Sequence, residues 1–489
     1  MPARVDLAAR RAALSATTLA AAALVAIALA ACGASGDRSS EMSTIVLTTK
    51  PAAGTTADVG RAAATGSSHA AGSSPAAGSS QATATQPANT VTDGDPDASE
   101  RSPALQHLQA VLVGEMRPEG AQTGLLVYDM TTGTTLFTQK PDVGRPPASV
   151  EKLYTTIAAD TLLGPAATFP TDVLGTGHLG PGGVWHGNLY LRGDGDPTFG
   201  DGTFNRVYED GYGPTAAQLV AQLRGDGIRL VTGEVIGDES RFDRLRGGPL
   251  TGYQPDAPDY GGELSALVYD HGATAANLSP AAFAARELVI TMRGAGIRAR
   301  ADRHASTAPP YARSLATVSS PPLSVLLRLM DVPSDDLFAD LLTKQLGYSS
   351  DGQGTLATGA EQIEGLIESR YDLHPTILDG SGLDKADRSS PAELVALLRD
   401  VQGTPAGRVL ASSLPVVGET GTVQTIGVHT AAQGHCIAKT GTLNYVTNLV
   451  GYCHAVGGNL LAFAVLIDGP GNWTALEAIS KIVGDIAAY

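Results

Sequence analysis

A change of periodicity in the middle of the chain constrains its folding more than any other feature. From about Ala167 to Leu315 the sequence runs in short β-patterned stretches broken by Gly, Pro and Asp. Examples are Gly187-Asn188-Leu189-Tyr190-Leu191, Gly233-Glu234-Val235-Ile236-Gly237 and Glu287-Leu288-Val289-Ile290. Helical spacing flanks this region, with Val150, Leu153, Ile157 and Leu162 before it and Leu323, Val325, Leu326, Leu329 and Met330 after it. Residues 167–315 therefore read as a β-rich inserted domain. It splits one α/β (α+β) domain into a first part, 101–166, and a second part, 316–489, as chains tolerate when the inserted ends lie close together.

The first part opens with a short helical pattern from Leu105 to Leu112. Strand-like runs follow at Thr123–Met130 and Thr134–Gln139, joined by the turn Thr131-Thr132-Gly133. In the second part, Ser334 precedes acidic residues and an apolar run, which predicts it as a helix N-cap. Strands are expected at 435–443, 447–454 and 460–468, and a closing helix at 474–488.

Arg4, Arg10 and Arg11 precede an apolar Ala/Leu run that ends in Leu29-Ala30-Ala31-Cys32. This resembles a bacterial lipoprotein signal peptide with its lipobox, over residues 1–32, and implies lipidation at Cys32. Residues 33–100 are dominated by Ala, Gly, Ser, Thr and Pro and have too few large apolar groups to offset the entropy of ordering. They read as a disordered tether, whose r.m.s. reach as a coil of about 70 residues is roughly 45 Å. The implied location is the cell-wall space, on the outer face of the bacterial cytoplasmic membrane.

A formal net charge of −16 leaves no basic stripe for nucleic acid. Gly175-Thr176-Gly177-His178-Leu179-Gly180 matches the dinucleotide glycine fingerprint literally, but Pro181-Gly182-Gly183 follows where a helix is required, so a glycine-rich turn is expected. Gly193-Asp194-Gly195-Asp196-Pro197 reads as a turn, not a calcium loop, and no metal ligand set is expected. The 10 histidines fall in no recognisable arrangement.

The chemistry concentrates in three short motifs. Pro146 and Pro147 suit the first positions of a helix, which would set Ser149 and Lys152 on one face at its positive end. A serine needs a base before it can attack, and a desolvated lysine can serve. Lys439-Thr440-Gly441 on a strand offers a cation, a hydroxyl and open backbone, suited to a carboxylate at the end of an extended peptide. A backbone N–H near Thr442, with that of Ser149, suits an oxyanion hole. Ser334-Asp335-Asp336 lies between these two motifs in the chain.

Together the three motifs stand in the order used by β-lactamases and penicillin-binding proteins, implying a serine β-lactamase/transpeptidase-like catalytic domain. The long gap from Ser149 to Ser334 would house the insertion. That arrangement resembles the D-alanyl-D-alanine carboxypeptidase/endopeptidase family, the class C low-molecular-mass penicillin-binding proteins of peptidase family S13. Gly187–Leu191 ahead of Gly195-Asp196-Pro197, Asp379-Gly380-Ser381-Gly382-Leu383 and Lys439 to Leu443 agree with it, and the likeness covers residues 105–489. It implies acyl-enzyme chemistry on peptidoglycan stem peptides, with no metal or cofactor. Ser149 would attack, Lys152 act as base and Ser334 relay a proton, while Lys439, Thr440, Gly441 and Thr442 bind substrate. β-Lactams would acylate the same serine as covalent inhibitors.

One residue departs from the family. Asp336 stands where the second motif has Asn, and an ionised Asp accepts hydrogen bonds but cannot donate them. An Asp beside Lys152 would also favour the ammonium and weaken the base. A catalytically impaired, lipid-anchored cell-wall binding protein is therefore the rival to an active peptidase. A β-lactamase fits less well, because no Glu-x-x-Leu-Asn stretch is present, and no Gly-x-Ser-x-Gly elbow supports a Ser-His-Asp hydrolase. Finally, a turn centred between Asn444 and Tyr445 would set Cys436 opposite Cys453, so that the two either form a cross-strand disulfide or remain buried thiols.

Overall fold

The computed structural model describes residues 102–117, 122–247, 262–469 and 471–489. The expected leader (1–32, with Cys32) and tether (33–100) lie outside the described residues. In chain order the first part holds α1 (Pro103–Met116), β1 (Gly124–Asp129), β2 (Thr134–Gln139) and α2 (Lys152–Leu163). The middle holds β3 (Pro170–Gly180), β4 (Val184–Gly193), α3 (Gly202–Tyr208), α4 (Ala216–Gly225), β5 (Leu230–Val231), β6 (Val235–Asp238), α5 (Pro280–Gly294) and β7 (Arg313–Ser319). Then come α6 (Leu323–Asp331), α7 (Asp336–Asp351), α8 (Leu356–Tyr371), α9 (Pro391–Val401) and α10 (Pro405–Ser413). The chain closes with β8 (Cys436–Leu443), β9 (Val446–His454), β10 (Leu460–Asp468) and α11 (Asn472–Ala488).

Strands from both ends of the chain make one antiparallel sheet in the order β2-β1-β10-β9-β8. Helices cover both of its faces, which explains the unbroken apolar run of β10. Leu461, Phe463, Val465 and Ile467 point to the face packed by Leu112 of α1 and Ile479 and Ile482 of α11. Ala462, Ala464 and Leu466 point to the other, against Leu153 and Ile157 of α2 and Leu394 and Leu398 of α9. Each such large apolar side chain, fully buried, contributes about 1.5–3 kcal/mol.

The insertion builds its own sheet, β5-β4-β3-β7, with β6 also on β4. Here the structure corrects three sequence expectations. The domain is α+β rather than chiefly β. Glu287–Ile290, taken for a strand, lies inside α5, where Ala281, Ala284, Ala285, Leu288 and Met292 are buried at helical spacing and Ser279 caps the N–H of Ala282. A four-residue window with three consecutive apolar residues cannot distinguish the two periods, whereas the full fifteen-residue helix can. The boundary also runs past Leu315, because β7 continues to Ser319, which pairs with Pro170 at the start of β3. The inserted domain thus enters and leaves through neighbouring strands. Third, the glycine run at 175–180 is part of β3 itself, paired with β4 at Gly177↔Gly187, and the turn follows at Pro181–Gly183.

A strap, residues 264–269, joins the two bodies by alternation. Leu264, Ala266 and Val268 face Leu337 and Leu341 of α7. Leu267 and Tyr269 face the core of the insertion.

Cys436 and Cys453 are directly opposed in the β8–β9 register and joined by a disulfide, with S–S 2.04 Å and Cα–Cα 4.1 Å. Both are buried. The bridge closes a loop with a sequence separation of 17 residues. Loops of that size restrict the unfolded chain by about 3 kcal/mol. Replacing both cysteines by serine is expected to lower the unfolding free energy by about that amount, measured by urea denaturation of the body from residue 102 onward.

Candidate active site

The turn that carries Ser149 is gripped by the central sheet. Pro146 and Pro147 do not begin the α-helix; they precede a 3-10 turn, Ala148–Glu151, and α2 starts only at Lys152. Ala148 holds the left-handed conformation, φ 47°, which costs an alanine energy and persists only where neighbours enforce it. Asn448 of β9 enforces it. Its side-chain amide donates to the carbonyls of Pro146 (3.0 Å) and Pro147 (2.8 Å) and accepts from the N–H of Ile467 at 3.1 Å. Gly441 of β8 packs so close that a Cβ would strike the Pro147 carbonyl oxygen. Ser149 is thereby presented, half-buried, at the edge of the strand carrying the third motif.

Lys152 is wholly buried and reaches three acceptors: Ser149 Oγ at 3.1 Å, Asp336 Oδ1 at 2.6 Å and the Ser381 carbonyl at 2.8 Å. An ammonium satisfies all three. A neutral amine would keep two donors, for Asp336 and Ser381, and turn its lone pair to the serine hydroxyl. The Ser381 carbonyl is held in place by Asp379, whose carboxylate accepts the N–H groups of Ser381 (2.9 Å), Gly382 (2.5 Å) and Asp384 (2.9 Å). Burial pushes Asp379 up to about 6 and Asp340 well above the carboxylate range. Glu151, between nucleophile and lysine in the chain, is fully buried, and burial with the nearby Asp387 and Asp379 raises it strongly.

The second motif differs from its expected geometry. Asp335, not Ser334, is the N-cap of α7; its Oδ1 accepts from the N–H of Phe338 at 2.9 Å. Ser334 stands one residue outside with φ 67°, a left-handed kink that swings its hydroxyl away from the helix. Lys439 Nζ donates to that hydroxyl at 2.6 Å and to the Thr440 carbonyl at 3.1 Å. Burial, with the Lys152 charge close by, lowers Lys439 to about 7; Asp331 and Asp336 pull in the other direction. Asp331 is itself buried and accepts from Ser413 at 2.6 Å and Thr156 at 2.9 Å.

Strand β8 lies at the sheet edge. The bonds Val417 N–H to Cys436 carbonyl (2.9 Å) and Ala438 N–H to Pro415 carbonyl (3.1 Å) leave the sheet outward at even-numbered residues. By strand alternation, Thr440 and Thr442 turn their backbone groups the same way. The Thr440 hydroxyl donates to Thr422 Oγ1 at 2.7 Å, and Thr442 is exposed.

The fold therefore brings Ser149, Lys152, Ser334, Asp336, Lys439, Thr440, Gly441 and Thr442 to one place. Sequence reasoning missed Asn448, Thr422, the Ser381 carbonyl and His271, whose Nε2 lies 2.7 Å from Asp335 Oδ2. The Asp379–Leu383 run carried a signal for Ser381, since its density of turn residues marks a backbone folded for a purpose. The others are single side chains whose importance exists only in three dimensions.

Known proteins resemble this chain in sequence and fold. Residues 104–280 and 259–489 match the D-Ala-D-Ala carboxypeptidase 3 (S13) family. The D-alanyl-D-alanine carboxypeptidase of Actinomadura sp. (strain R39) is 26% identical over 486 residues, covering 79% of this chain and 87% of its own length. Carboxypeptidase DacB of Mycolicibacterium smegmatis is 28% identical over 433 residues, covering 82% and 90%. In fold the chain is similar to penicillin binding protein 4 from Haemophilus influenzae, with TM-score 0.66 and 19% identity over 77% of this chain and 99% of that one. With its motifs assembled on a matching fold, the chain belongs to the D-Ala-D-Ala carboxypeptidase 3 (S13) family, the serine peptidases among the class C penicillin-binding proteins.

Proposed function

We propose that the protein is an active D-alanyl-D-alanine carboxypeptidase of peptidoglycan stem peptides, in which Ser149 forms the acyl-enzyme. The observation that carries this reading is the threefold contact of Lys152. Asp336 replaces the acceptor that an Asn carbonyl would offer, so Lys152 still has two fixed acceptors and one direction left for Ser149. What Asp336 removes is the donor of an Asn side chain, which affects how substrate is held more than how the serine is activated.

In this mechanism Lys152 takes the Ser149 proton as Oγ attacks the penultimate D-Ala carbonyl. The oxyanion settles between the N–H groups of Ser149 and Thr442. Ser334, backed by Lys439, hands a proton to the departing amine, and Lys439 with Thr440 binds the terminal carboxylate. Water then releases the acyl group. The open edge of β8 also suits a longer peptide, so endopeptidase cleavage of cross-links is the natural second activity of the same groove. The basic and apolar pattern of residues 1–32, ending in Cys32, supports export and lipid anchoring at the outer face of the cytoplasmic membrane.

Two measurements test the reading. Incubation of the body with a penicillin should give a one-to-one covalent adduct by intact mass, absent from Ser149→Ala; a folded wild-type protein without adduct would favour the silent cell-wall binding protein. Asp336→Asn should acylate about tenfold faster, a gain of about 1.4 kcal/mol in transition-state stabilisation, measured with a fluorescent penicillin. An unchanged or slower rate would show that the carboxylate is adapted to this site.

A further inference from the structure

His271 belongs to the inserted domain, far in sequence from all three motifs, yet it touches the second one. Its Nε2 lies 2.7 Å from Asp335 Oδ2, while the other oxygen of Asp335 caps α7 through the N–H of Phe338. The two neighbours of Asp335 are Ser334, bonded to Lys439, and Asp336, bonded to Lys152. A single carboxylate, held from the inserted domain, therefore stands between the two residues that address the catalytic lysines.

The backbone on both sides of this contact is forced. Asp270 (φ 47°), His271 (φ 57°) and Ser334 (φ 67°) are all non-glycine residues in the left-handed region. Strain of this kind survives where surrounding contacts fix it, and it gathers at working sites. Those contacts are present. Tyr269 sits edge-on to Phe199 at 5.5 Å, Asp270 N–H donates to the Phe199 carbonyl at 3.1 Å, and Asp270 Oδ1 accepts the N–H of Asp201 at 2.7 Å. The strap before it packs side chains into both cores.

We infer that His271 is a positioning residue for the peptidase reaction: the inserted domain uses it to hold Asp335, and through Asp335 the geometry of Ser334 and Asp336. This rests on the acyl-enzyme reading above. Electrostatics supports it. Burial opposes a charge on His271, but Asp335, with Glu209 at the end of α3 and Asp336 of α7, outweighs burial and raises it to about 9. Asp335 is lowered, because the imidazolium outweighs its own burial. Glu209, which also faces Asp196, Asp210 and Asp335, is pushed up by burial to about 8. The ion pair is thus complete at neutral pH and dissolves as pH rises through about 9.

The test compares second-order acylation rates with a fluorescent penicillin, counting only sites that titrate. His271→Ala should react at least tenfold more slowly. His271→Gln, which keeps a neutral donor, should recover most of that loss, and the wild-type advantage over it should shrink as pH rises through about 9. Val268→Ala weakens the same interface without touching Asp335 and should keep the wild-type rate per titrated site. The inference is overturned if His271→Ala acylates like wild type, or if Val268→Ala falls as far, which would assign the effect to packing. Wild-type protein that forms no adduct would instead overturn the acyl-enzyme reading itself.

Discussion

Two lysine ammonium groups cannot share a dry pocket without compensation, and the site is built around that difficulty. Lys152 and Lys439 are both fully buried, and the Lys152 charge disfavours a charge on Lys439. Desolvating even one such cation is expensive unless a counter-charge or several acceptors replace water. The fold divides its resources unequally. Lys152 receives a carboxylate, a carbonyl and a hydroxyl, whereas Lys439 receives a hydroxyl and one carbonyl and is lowered to about 7. The lysine with fewer partners is the one placed on the edge strand, where a substrate carboxylate would supply the missing charge.

The surrounding acids follow from the same constraint. Asp331, Asp340, Asp379 and Glu151 are buried within reach of these cations and shifted upward by burial. Asp331 and Asp379 are tied by hydrogen bonds to hydroxyls or backbone amides, and the upward shift of all four holds back the negative charge they could bring beside the lysines. Among the described residues, Asp336 alone makes a direct ion pair with Lys152. The choice of Asp over Asn at this position therefore sets the charge balance of the whole site, not merely one contact.

How much of this was legible in the sequence depended on the range of each signal. Ser149 and Lys152 could be read because helical geometry fixes residues three apart, and Cys436 could be set opposite Cys453 because a two-residue turn fixes the whole β8–β9 register. Ser334 was misassigned by a single position, since Ser and Asp are both good caps and only the backbone kink decides between them. Glu287–Ile290 fits either period because its three consecutive apolar residues, Leu288, Val289 and Ile290, satisfy both. Asn448 and His271 gave no signal at all: each acts across elements distant in the chain, on a carbonyl or a carboxylate whose location no local pattern encodes.

The strand order has a consequence for the history of each molecule. In the catalytic sheet, β1 lies against β10, so the first strand made waits for the last before it has a partner on that side. The insertion, by contrast, closes on itself through β3 and β7 well before the chain ends. A polypeptide that emerges from its N-terminus can close the inserted sheet while the β1–β2 hairpin and the serine turn still lack β8, β9 and β10. The nascent chain can thus carry a closed inserted sheet before the reactive serine is assembled. A chain cut short before Leu460 would hold a folded insertion and no nucleophile poised to react.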